Sequence, residues 1–329
     1  MGGAKGGSDF DPKGKSDNEI RRFCYAFMRE LHPYINKDTD VPAGDIGVSG
    51  REISYMFAMY KNLTREYGGV LTGKGVGFGG SLMRTEATGY GAVYFLENML
   101  TAQNERIDGK RVLVSGAGNV SLHAAEKAHM LGGVVVTVSD SQGTLYDGAG
   151  LNQEKINWLK AQKAKSQPLA DYVAVYGGKW FAGQKPWHIK GDIAIPSATQ
   201  NEVNEDDAKL MVENGIKYVV EGANMPLTAD AIDHIRLHRV HYAPGKAANA
   251  GGVAVSGLEM SQNSVRQYKT FEEIDARLKV IMKNIHDGAA EASEKYHQTD
   301  KGYIDYMTGA NIVGFKRVAD ALVAYGILN

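Results

Sequence analysis

Two charged side chains, Lys5 and Asp45, stand in glycine-rich stretches of the sequence. Lys5 lies between Gly3 and the pair Gly6-Gly7, and Asp45 lies in the stretch PAGDIG. A lysine enclosed by small residues loses hydration, which lowers its pKa toward values that suit proton transfer. Together the two groups could perform acid–base chemistry on a substrate. The alternative that these residues leave open is a pair of surface charges on loops.

A turn with the spacing of a dinucleotide-binding loop follows a short run of β-branched residues. The segment RVLVS (111–115) predicts a strand, the motif GAGNV (116–120) predicts a turn, and a helix-forming segment follows. Gly116 would make the tight turn, and Gly118 would let the backbone approach a pyrophosphate at the helix N-terminus. Ser121 replaces the third glycine of the fingerprint but is small enough for helix–strand packing. The alternative is a plain strand-to-helix glycine turn.

The end of the next predicted strand bears on which dinucleotide binds. This strand ends in the string SDS, in which Asp140 is placed to bond an adenosine ribose. A carboxylate there favours NAD, because it repels a 2′-phosphate. Ser139 and Ser141 could instead donate hydrogen bonds to that phosphate, and Lys163 or Lys165 could supply positive charge. From the residues alone, NAD and NADP both stay open.

Two further glycine-rich stretches follow predicted strands. EGANMP contains Asn224, and APGKAANAGG contains Asn249. Ligands bind at the carboxyl ends of parallel strands, so these amides could bond a nicotinamide ribose or carboxamide, although turn asparagines are the alternative. With a nicotinamide in place, Lys5 and Asp45 suit the dehydrogenation of an amino acid. The lysine would help water add to the iminium carbon, and the carboxylate would shuttle protons and orient the amine.

The predicted elements place these loops in an α/β fold. Ser16 and Glu19 have the capping-box pattern, and an amphipathic helix follows that includes Cys24 as a core residue. From residue 109 onward, strands alternate with helices, and further strands are predicted at 192–195, 218–220 and 240–242. This succession predicts a Rossmann-like, doubly wound parallel sheet. The last third is predicted to be helical, chiefly at 272–294 and 312–325.

The composition excludes several classes of protein. A chain of 329 residues with 43% hydrophobic and 23% charged residues suggests two globular domains. A net charge of −1 argues against nucleic-acid or anionic-membrane partners. The single cysteine and the lack of a long apolar run or signal-like segment lead us to expect a cytoplasmic protein. We also expect no metal site, because no His, Cys or Asp cluster has ligand spacing.

Eight strings, in order over essentially the whole chain, resemble glutamate dehydrogenase, and most closely the hexameric enzymes of bacteria and fungi. They are GGAKGGSDFDPKGKS, DTDVPAGDIGVSGRE, TGKGVGFGGSLMRTEATGYG, GAGNV, VSDS, EGANMP, APGKAANAGGV and SGLEMSQN. The resemblance implies reversible oxidative deamination of L-glutamate to 2-oxoglutarate and ammonium, and a homohexamer for the full-length protein.

The resemblance also implies roles for single residues. Lys5 and Asp45 match the catalytic lysine and aspartate, and Ser256 matches the serine that contacts the substrate γ-carboxylate. The VSDS string looks like the NADP-using members and tilts the expectation to NADP, with NAD still possible. The implied cofactor contacts, including the glycine turn, are Arg84, Thr88, Gly116, Gly118, Asn119, Val120, Asp140, Ser141, Lys163, Asn224 and Asn249.

The same resemblance implies a division of the chain. Residues 1–75 would be the remainder of an α/β substrate domain, 76–250 the dinucleotide-binding domain, and 251–329 a helical return to the substrate domain. In the family, a long N-terminal segment with two carboxylate-binding lysines precedes the first loop, and we expect this chain to lack it. The rival interpretations are a dehydrogenase of another amino acid and a catalytically silent dinucleotide-binding or assembly module.

Overall fold

The computed structural model describes residues 3, 6–45, 47–297 and 302–326. The α-helices in these ranges are α1 Asp17–Leu31, α2 Gly50–Thr64, α3 Ala87–Ala102, α4 Asn119–Met130, α5 Gln153–Ala164, α6 Tyr172–Tyr176, α7 Glu205–Glu213, α8 Ala229–Leu237, α9 Gly245–Ala248, α10 Gly251–Val265, α11 Phe271–His297 and α12 Tyr306–Tyr325. The strands are β1 Arg111–Val114, β2 Val134–Asp140, β3 Gly143–Tyr146, β4 Lys179–Ala182, β5 Ile193–Ile195, β6 Tyr218–Val220 and β7 His241–Ala243.

The chain forms two compact units. The first comprises Met1–Arg84 and Val255–Phe271, and the second comprises Thr85–Ala254 and Glu272–Asn329. The boundary at Arg84 falls in the glycine-rich stretch that precedes α3, and the boundary at Val255 falls within α10.

Helices α1 and α2 form the core of the first unit. Helix α1 begins with the predicted capping box of Ser16 and Glu19, and α2 begins with a second one, which Ser49 and Glu52 form. The helices pack through apolar side chains at helical spacing. Cys24 is 4% exposed in this core, which confirms its prediction as a core residue. The buried members of the cluster are Ile20, Cys24, Met28, Ile35, Ile53, Met56, Phe57, Met59, Tyr60, Val70 and Leu71.

A seven-stranded sheet organises the second unit in the order β4-β3-β2-β1-β5-β6-β7. The predicted parallel arrangement is confirmed for β2, β1, β5, β6 and β7. Strands β3 and β4 pair antiparallel and extend the edge beyond β2, which the sequence interpretation did not predict. Only two residues join β2 to β3, and a connection this short can form only a hairpin.

The strand order reverses between β1 and β5. The chain runs outward to β2 on one side of β1 and later returns on its other side to start β5, β6 and β7. Such a switch point leaves a crevice at the carboxyl ends of the two central strands, and ligands of open α/β sheets bind there. Helix α4 follows β1 and contacts both β1 and β2. It also lies against α3 at Gly89, where a Cβ would come within 2.5 Å of the backbone nitrogen of Ala124.

Candidate functional site

The glycine turn after β1 lies at this switch point. Gly116 has φ of +83°, and a Cβ there would lie 2.9 Å from the carbonyl oxygen of Ser197. Glycine is the residue that combines such a conformation with so close a neighbour. Gly118 differs, because a Cβ at that position would meet no atom of the protein within 4 Å. The space beside Gly118 is therefore open, as a loop that admits a ligand to its backbone requires.

The open space coincides with the N-terminus of α4. Gly118 is the N-cap of this helix and brings no side-chain acceptor to the N–H groups of the first turn. Those N–H groups and the helix dipole favour a bound anion. The predicted contacts Asn119 and Val120 form the first turn of α4, with Asn119 exposed, and Thr88 lies half-buried near the start of α3. These features fit the pyrophosphate of a dinucleotide.

Serine side chains hold the glycine turn in place. The Gly116 N–H donates to Ser139 Oγ at 3.0 Å, and the Ser197 N–H donates to Ser115 Oγ at 2.9 Å. Ser115 Oγ in turn donates to Glu202 Oε1 at 2.9 Å. Ser139 is 6% exposed, so this candidate phosphate donor lies buried beside the turn. The turn is therefore fixed by its neighbours on β2 and β5.

A half-buried carboxylate, Glu202, and a buried one, Glu221, flank the carboxyl ends of the parallel strands. Burial raises the pKa of Glu202, although hydrogen bonds from the Ala198 N–H and the Ser115 hydroxyl oppose the rise. Burial likewise raises the pKa of Glu221, whose Oε2 accepts the N–H of Gly245 at 2.6 Å. Both groups bridge neighbouring loops, and they are candidates for structural support of the crevice.

The residues proposed to read the adenosine end are on the surface. Asp140 is the last residue of β2 and is exposed, and its Oδ1 accepts the N–H of Gln142 at 2.8 Å. Ser141 follows in the hairpin and is also exposed. Lys163 lies exposed in the last turn of α5. All three are available to a ligand from solvent.

The structure brings Asn224 and Asn249 together. Asn249 Nδ2 donates to Asn224 Oδ1 at 2.7 Å and to the carbonyl oxygen of Ala223 at 3.1 Å. Asn224 follows β6, and Asn249 lies just after α9, so two loops at the carboxyl edge of the sheet are joined by one amide pair. The separation in sequence gave no indication of this contact.

In the first unit, Ser256 forms a buried hydroxyl pair. Thr72 Oγ1 donates to Ser256 Oγ at 3.0 Å, and the two residues are 1% and 7% exposed. A hydroxyl has one proton and two lone pairs. Because Ser256 accepts from Thr72, its own proton is free to be donated to a further acceptor, such as a carboxylate.

A buried ion pair adjoins this hydroxyl pair. Lys74 Nζ lies 2.8 Å from Glu259 Oε1, and the side chains are 1% and 0% exposed. Burial lowers the pKa of Lys74, and the charge and hydrogen bond of Glu259 oppose that change. The Gly73 N–H also donates to Glu259 Oε2, at 3.0 Å. Glu259 therefore anchors a loop and neutralises a buried cation.

Arg84 is the last residue of the first unit before the boundary. Its Nε is buried and has no hydrogen-bond partner among the described residues. Burial lowers the pKa of Arg84, and the negative charge of Glu259 opposes that shift. A half-buried arginine whose buried Nε is an unfilled donor is suited to an anionic or carbonyl group of a ligand.

Of the two proposed catalytic residues, one can be placed. Asp45 is exposed and forms an isolated antiparallel bridge with Val48, with backbone N···O distances of 3.1 and 2.9 Å. The bridge fixes the backbone around Asp45 while its carboxylate stays accessible. Lys5 lies outside the described residues.

Sequence reasoning missed Thr72, Lys74 and Glu259. Each is a common residue type in a loop or helix, and the partners are more than 180 positions apart in the chain. One signal was present: Glu259 follows Ser256 by three residues, so a helix places both side chains on one face.

Neither a metal-binding cluster nor a membrane-spanning helix is found in the described part of the chain. Within it, no group of three or more His, Cys, Asp or Glu side chains could hold a metal ion. None of its helices combines the length and the apolar character needed to cross a membrane.

The chain matches two family models. The model of glutamate/leucine/phenylalanine/valine dehydrogenase matches residues 79–326, and the model of the dimerisation domain of these enzymes matches residues 1–62. The NADP-specific glutamate dehydrogenase of Psychrobacter sp. strain TAD1 is 80% identical over 329 residues, which cover the whole chain and 73% of that protein. The NADP-specific glutamate dehydrogenase of Salmonella typhimurium is 51% identical, over the whole chain and 72% of its own length.

Solved structures of glutamate dehydrogenases also align with this chain. A glutamate dehydrogenase structure aligns with a TM-score of 0.96 and 49% identity over the whole chain and 73% of its own chain. Glutamate dehydrogenase of Plasmodium falciparum aligns with a TM-score of 0.94 and 46% identity, over 97% of this chain and 68% of its own. The chain thus belongs to the glutamate/leucine/phenylalanine/valine dehydrogenase family.

Proposed function

We propose that the protein catalyses the reversible oxidative deamination of L-glutamate to 2-oxoglutarate and ammonium with NADP. The observation that carries the cofactor part is the open space at Gly118, at the uncapped N-terminus of α4. The substrate part is supported by the relatives at 80% and 51% identity, which are glutamate dehydrogenases. When bound, NADP accepts a hydride from the substrate α-carbon.

Acid–base work is assigned to Lys5 and Asp45. Lys5 assists the addition of water to the iminium carbon that remains after hydride loss, and Asp45 moves protons to and from the amine nitrogen. The exposed carboxylate of Asp45 on a backbone held by Val48 supports this role. Ammonium then leaves as the carbonyl of 2-oxoglutarate forms.

Ser256 is assigned to the substrate γ-carboxylate. Its hydroxyl accepts from Thr72 and so keeps a proton available for a carboxylate oxygen. A hydrogen bond to a charged partner contributes roughly 1.5–3 kcal/mol, enough to distinguish glutamate from amino acids with apolar side chains.

The cofactor contacts are proposed to be the sequence-predicted set. Gly116, Gly118, Asn119 and Val120 would hold the pyrophosphate, with Arg84 and Thr88 as further contacts. Asp140, Ser141 and Lys163 would bind the adenosine ribose and its 2′-phosphate, and the amide pair of Asn224 and Asn249 would hold the nicotinamide side. The division into residues 1–75, 76–250 and 251–329 stays our proposal for which parts serve substrate and cofactor.

NADP is favoured over NAD by the names of the relatives. Two NADP-specific enzymes are described above, whereas the enzyme of Xylanibacter ruminicola, at 54% identity, is NAD(P)-specific. We further propose a homohexamer located in the cytoplasm. The match to a dimerisation-domain model supports assembly of some kind.

The test is a reductive-amination assay with ammonium, comparing NADPH with NADH and 2-oxoglutarate with 4-methyl-2-oxopentanoate and phenylpyruvate. We expect turnover of 2-oxoglutarate with NADPH and little with the two apolar keto acids. Preference for either apolar acid would support the rival amino-acid dehydrogenase. Cofactor binding without turnover of any keto acid would support the silent module.

A matched pair of lysine variants tests the 2′-phosphate assignment. Lys163→Met should raise the KM for NADPH by roughly tenfold, the effect of one charged hydrogen bond, and leave the KM for NADH unchanged. Lys165→Met is the control, since Lys165 is exposed at the C-cap of the same helix. An effect of Lys165→Met alone would move the assignment to that residue.

A further inference from the structure

The ion pair of Lys74 and Glu259 ties a loop of the first unit to helix α10. Glu259 accepts the Gly73 N–H at 3.0 Å and the Lys74 N–H at 3.4 Å, besides the side-chain ammonium. Lys74 Nζ also donates to the carbonyl oxygen of Leu71 and lies 5.3 Å from the ring centroid of Phe57. The four-residue loop from Leu71 to Lys74 is thus fixed at several points.

A contribution to the stability of the fold does not by itself explain the buried ion pair of Lys74 and Glu259. Removing two charges from water carries a desolvation penalty that their attraction often does not recover, and apolar pairs of similar volume are commonly as stable. A buried pair does impose one geometry, because the charges and hydrogen-bond donors must meet in a single arrangement. The burial of Lys74 and Glu259 is therefore better explained by the neighbouring residues that the ion pair holds in place.

The geometry fixes the hydroxyl pair next to it. Glu259 lies about one helical turn after Ser256 on α10, and Lys74 lies two residues after Thr72 in the loop. Loop and helix therefore meet at two adjacent contacts, one between hydroxyls and one between charges. The charged contact sets the distance and register at which the hydroxyls meet.

We propose that Lys74 and Glu259 are positioning residues for substrate binding: they hold Thr72 against Ser256 so that the Ser256 hydroxyl proton points to the substrate side-chain carboxylate. The proposal rests on the proposed function, in which Ser256 binds that carboxylate. It predicts that loss of the pair acts on substrate affinity through Ser256, and leaves cofactor affinity unchanged.

The main variant is the double substitution Lys74→Met/Glu259→Met. Lys74→Met alone leaves a buried carboxylate without its cation and can unfold the chain, whereas the double variant removes both charges and leaves the net charge near Arg84 unchanged. We expect a folded protein with a lower melting temperature than the parent, because the Gly73 N–H loses its acceptor, together with a KM for 2-oxoglutarate raised roughly tenfold and a Kd for NADPH within about twofold. A parental KM in this folded variant would overturn the proposal.

A cycle with Ser256→Ala separates positioning from general loosening. Ser256→Ala alone should raise the KM for 2-oxoglutarate at least as much as the double variant does. In the Lys74→Met/Glu259→Met background, Ser256→Ala should add less than about twofold, because the hydroxyl is already misplaced. Full multiplication of the two effects would show that the ion pair acts independently of Ser256, and the proposal would fail.

The control removes another largely buried ion pair. Lys155 Nζ and Asp147 Oδ2 are 2.6 Å apart in the second unit, with side chains 17% and 8% exposed. Lys155→Met/Asp147→Asn should lower the melting temperature and leave the KM for 2-oxoglutarate unchanged. Failure of the proposed function would appear separately, as an absence of 2-oxoglutarate turnover in the unsubstituted protein.

Discussion

Glu259 in the first unit and Glu221 in the second unit are both buried carboxylates, but their surroundings differ. Glu259 is 0% exposed at its side chain and lies 2.8 Å from the ammonium of Lys74. Glu221 is 2% exposed, and its Oε2 accepts the neutral N–H of Gly245 at 2.6 Å. Burial raises the pKa of Glu221 because the neutral donors compensate its charge less fully.

The same contrast holds for the two candidate sites. The site in the first unit is built from side chains, in which Ser256, Thr72, Lys74 and Glu259 fix one another. The site in the second unit is built from backbone, in which Gly116 makes the turn and Gly118 leaves open space. Substitutions in the first site should therefore act through charge and hydrogen bonds, and those in the second through steric exclusion.

The largest effect is expected from the proposed catalytic carboxylate of the first unit. Asp45→Asn keeps the size of the side chain and the backbone bridge to Val48 but removes the proton acceptor. We expect kcat to fall by about a hundred- to ten-thousand-fold, the usual contribution of general acid–base catalysis. Steady-state kinetics in both reaction directions and a binding measurement with NADPH would check this.

The control for Asp45→Asn is Asp40→Asn, an exposed carboxylate in the same loop. It should leave kcat within about twofold, since a surface charge contributes little. An Asp45→Asn variant with ordinary kcat would remove Asp45 from the mechanism and leave the first unit with a binding role only.

The second prediction concerns Gly118 in the second unit. A Cβ added at Gly118 meets no protein atom, so Gly118→Ala should change the free energy of unfolding by no more than about 1 kcal/mol, the value of an N-cap change. The methyl group would occupy the space reserved for the pyrophosphate, and we expect the Kd for NADPH to rise by roughly tenfold or more. Calorimetric titration and thermal unfolding measure the two effects separately.

Gly116→Ala is the matched comparison. Its φ of +83° and the 2.9 Å approach to Ser197 predict strain of roughly 1–3 kcal/mol, so stability and NADPH binding should fall together. If Gly118→Ala instead bound NADPH with parental affinity, the open space would have no ligand and the backbone-built site would be refuted.

The backbone-built site was largely predictable from sequence, and the reason is local. The site lies within about twenty consecutive residues, which contain a β-branched run, the glycines and the start of a helix. The types of these residues are enough to predict the local backbone geometry. Helix starts at Ser16 and the strands around Gly116 were predicted on the same basis and are confirmed. The antiparallel edge strands β3 and β4 were missed, because each is only four residues long and neither shows a clear strand pattern in the sequence.

The side-chain-built site could not be predicted in the same way. Thr72 and Ser256 meet across 184 positions, and only the folded chain brings them together. Resemblance named Ser256, but it did not indicate that Lys74 and Glu259 lie beside it. The contact between Asn224 and Asn249 could not be predicted from the sequence either. Both residues were candidate cofactor contacts only because each follows a predicted strand.

The smallest expected effect tests the contrast between Glu221 and Glu259 directly. The folded state raises the pKa of Glu221 above its ordinary value of about 4.3. At pH values between the ordinary and the raised pKa, the folded protein therefore binds more protons than the unfolded chain. Stability attributable to this group therefore falls as pH rises through the raised pKa. Glu221→Gln keeps an oxygen acceptor for the Gly245 N–H and removes the charge.

We therefore expect Glu221→Gln to be more stable than the parent at pH 8 and to lose that advantage as the pH falls toward about 4. Denaturant unfolding at several pH values measures the difference, and Glu213→Gln, at an exposed position of α7, should give a curve that coincides with the parent. Glu259→Gln should behave in the opposite way and destabilise at neutral pH, because it leaves the Lys74 ammonium buried without its counter-charge. Equal responses of Glu221→Gln and Glu259→Gln would show that the ion pair does not distinguish the two buried carboxylates. The contrast between the side-chain-built site and the backbone-built site would then rest on Gly116 and Gly118 alone.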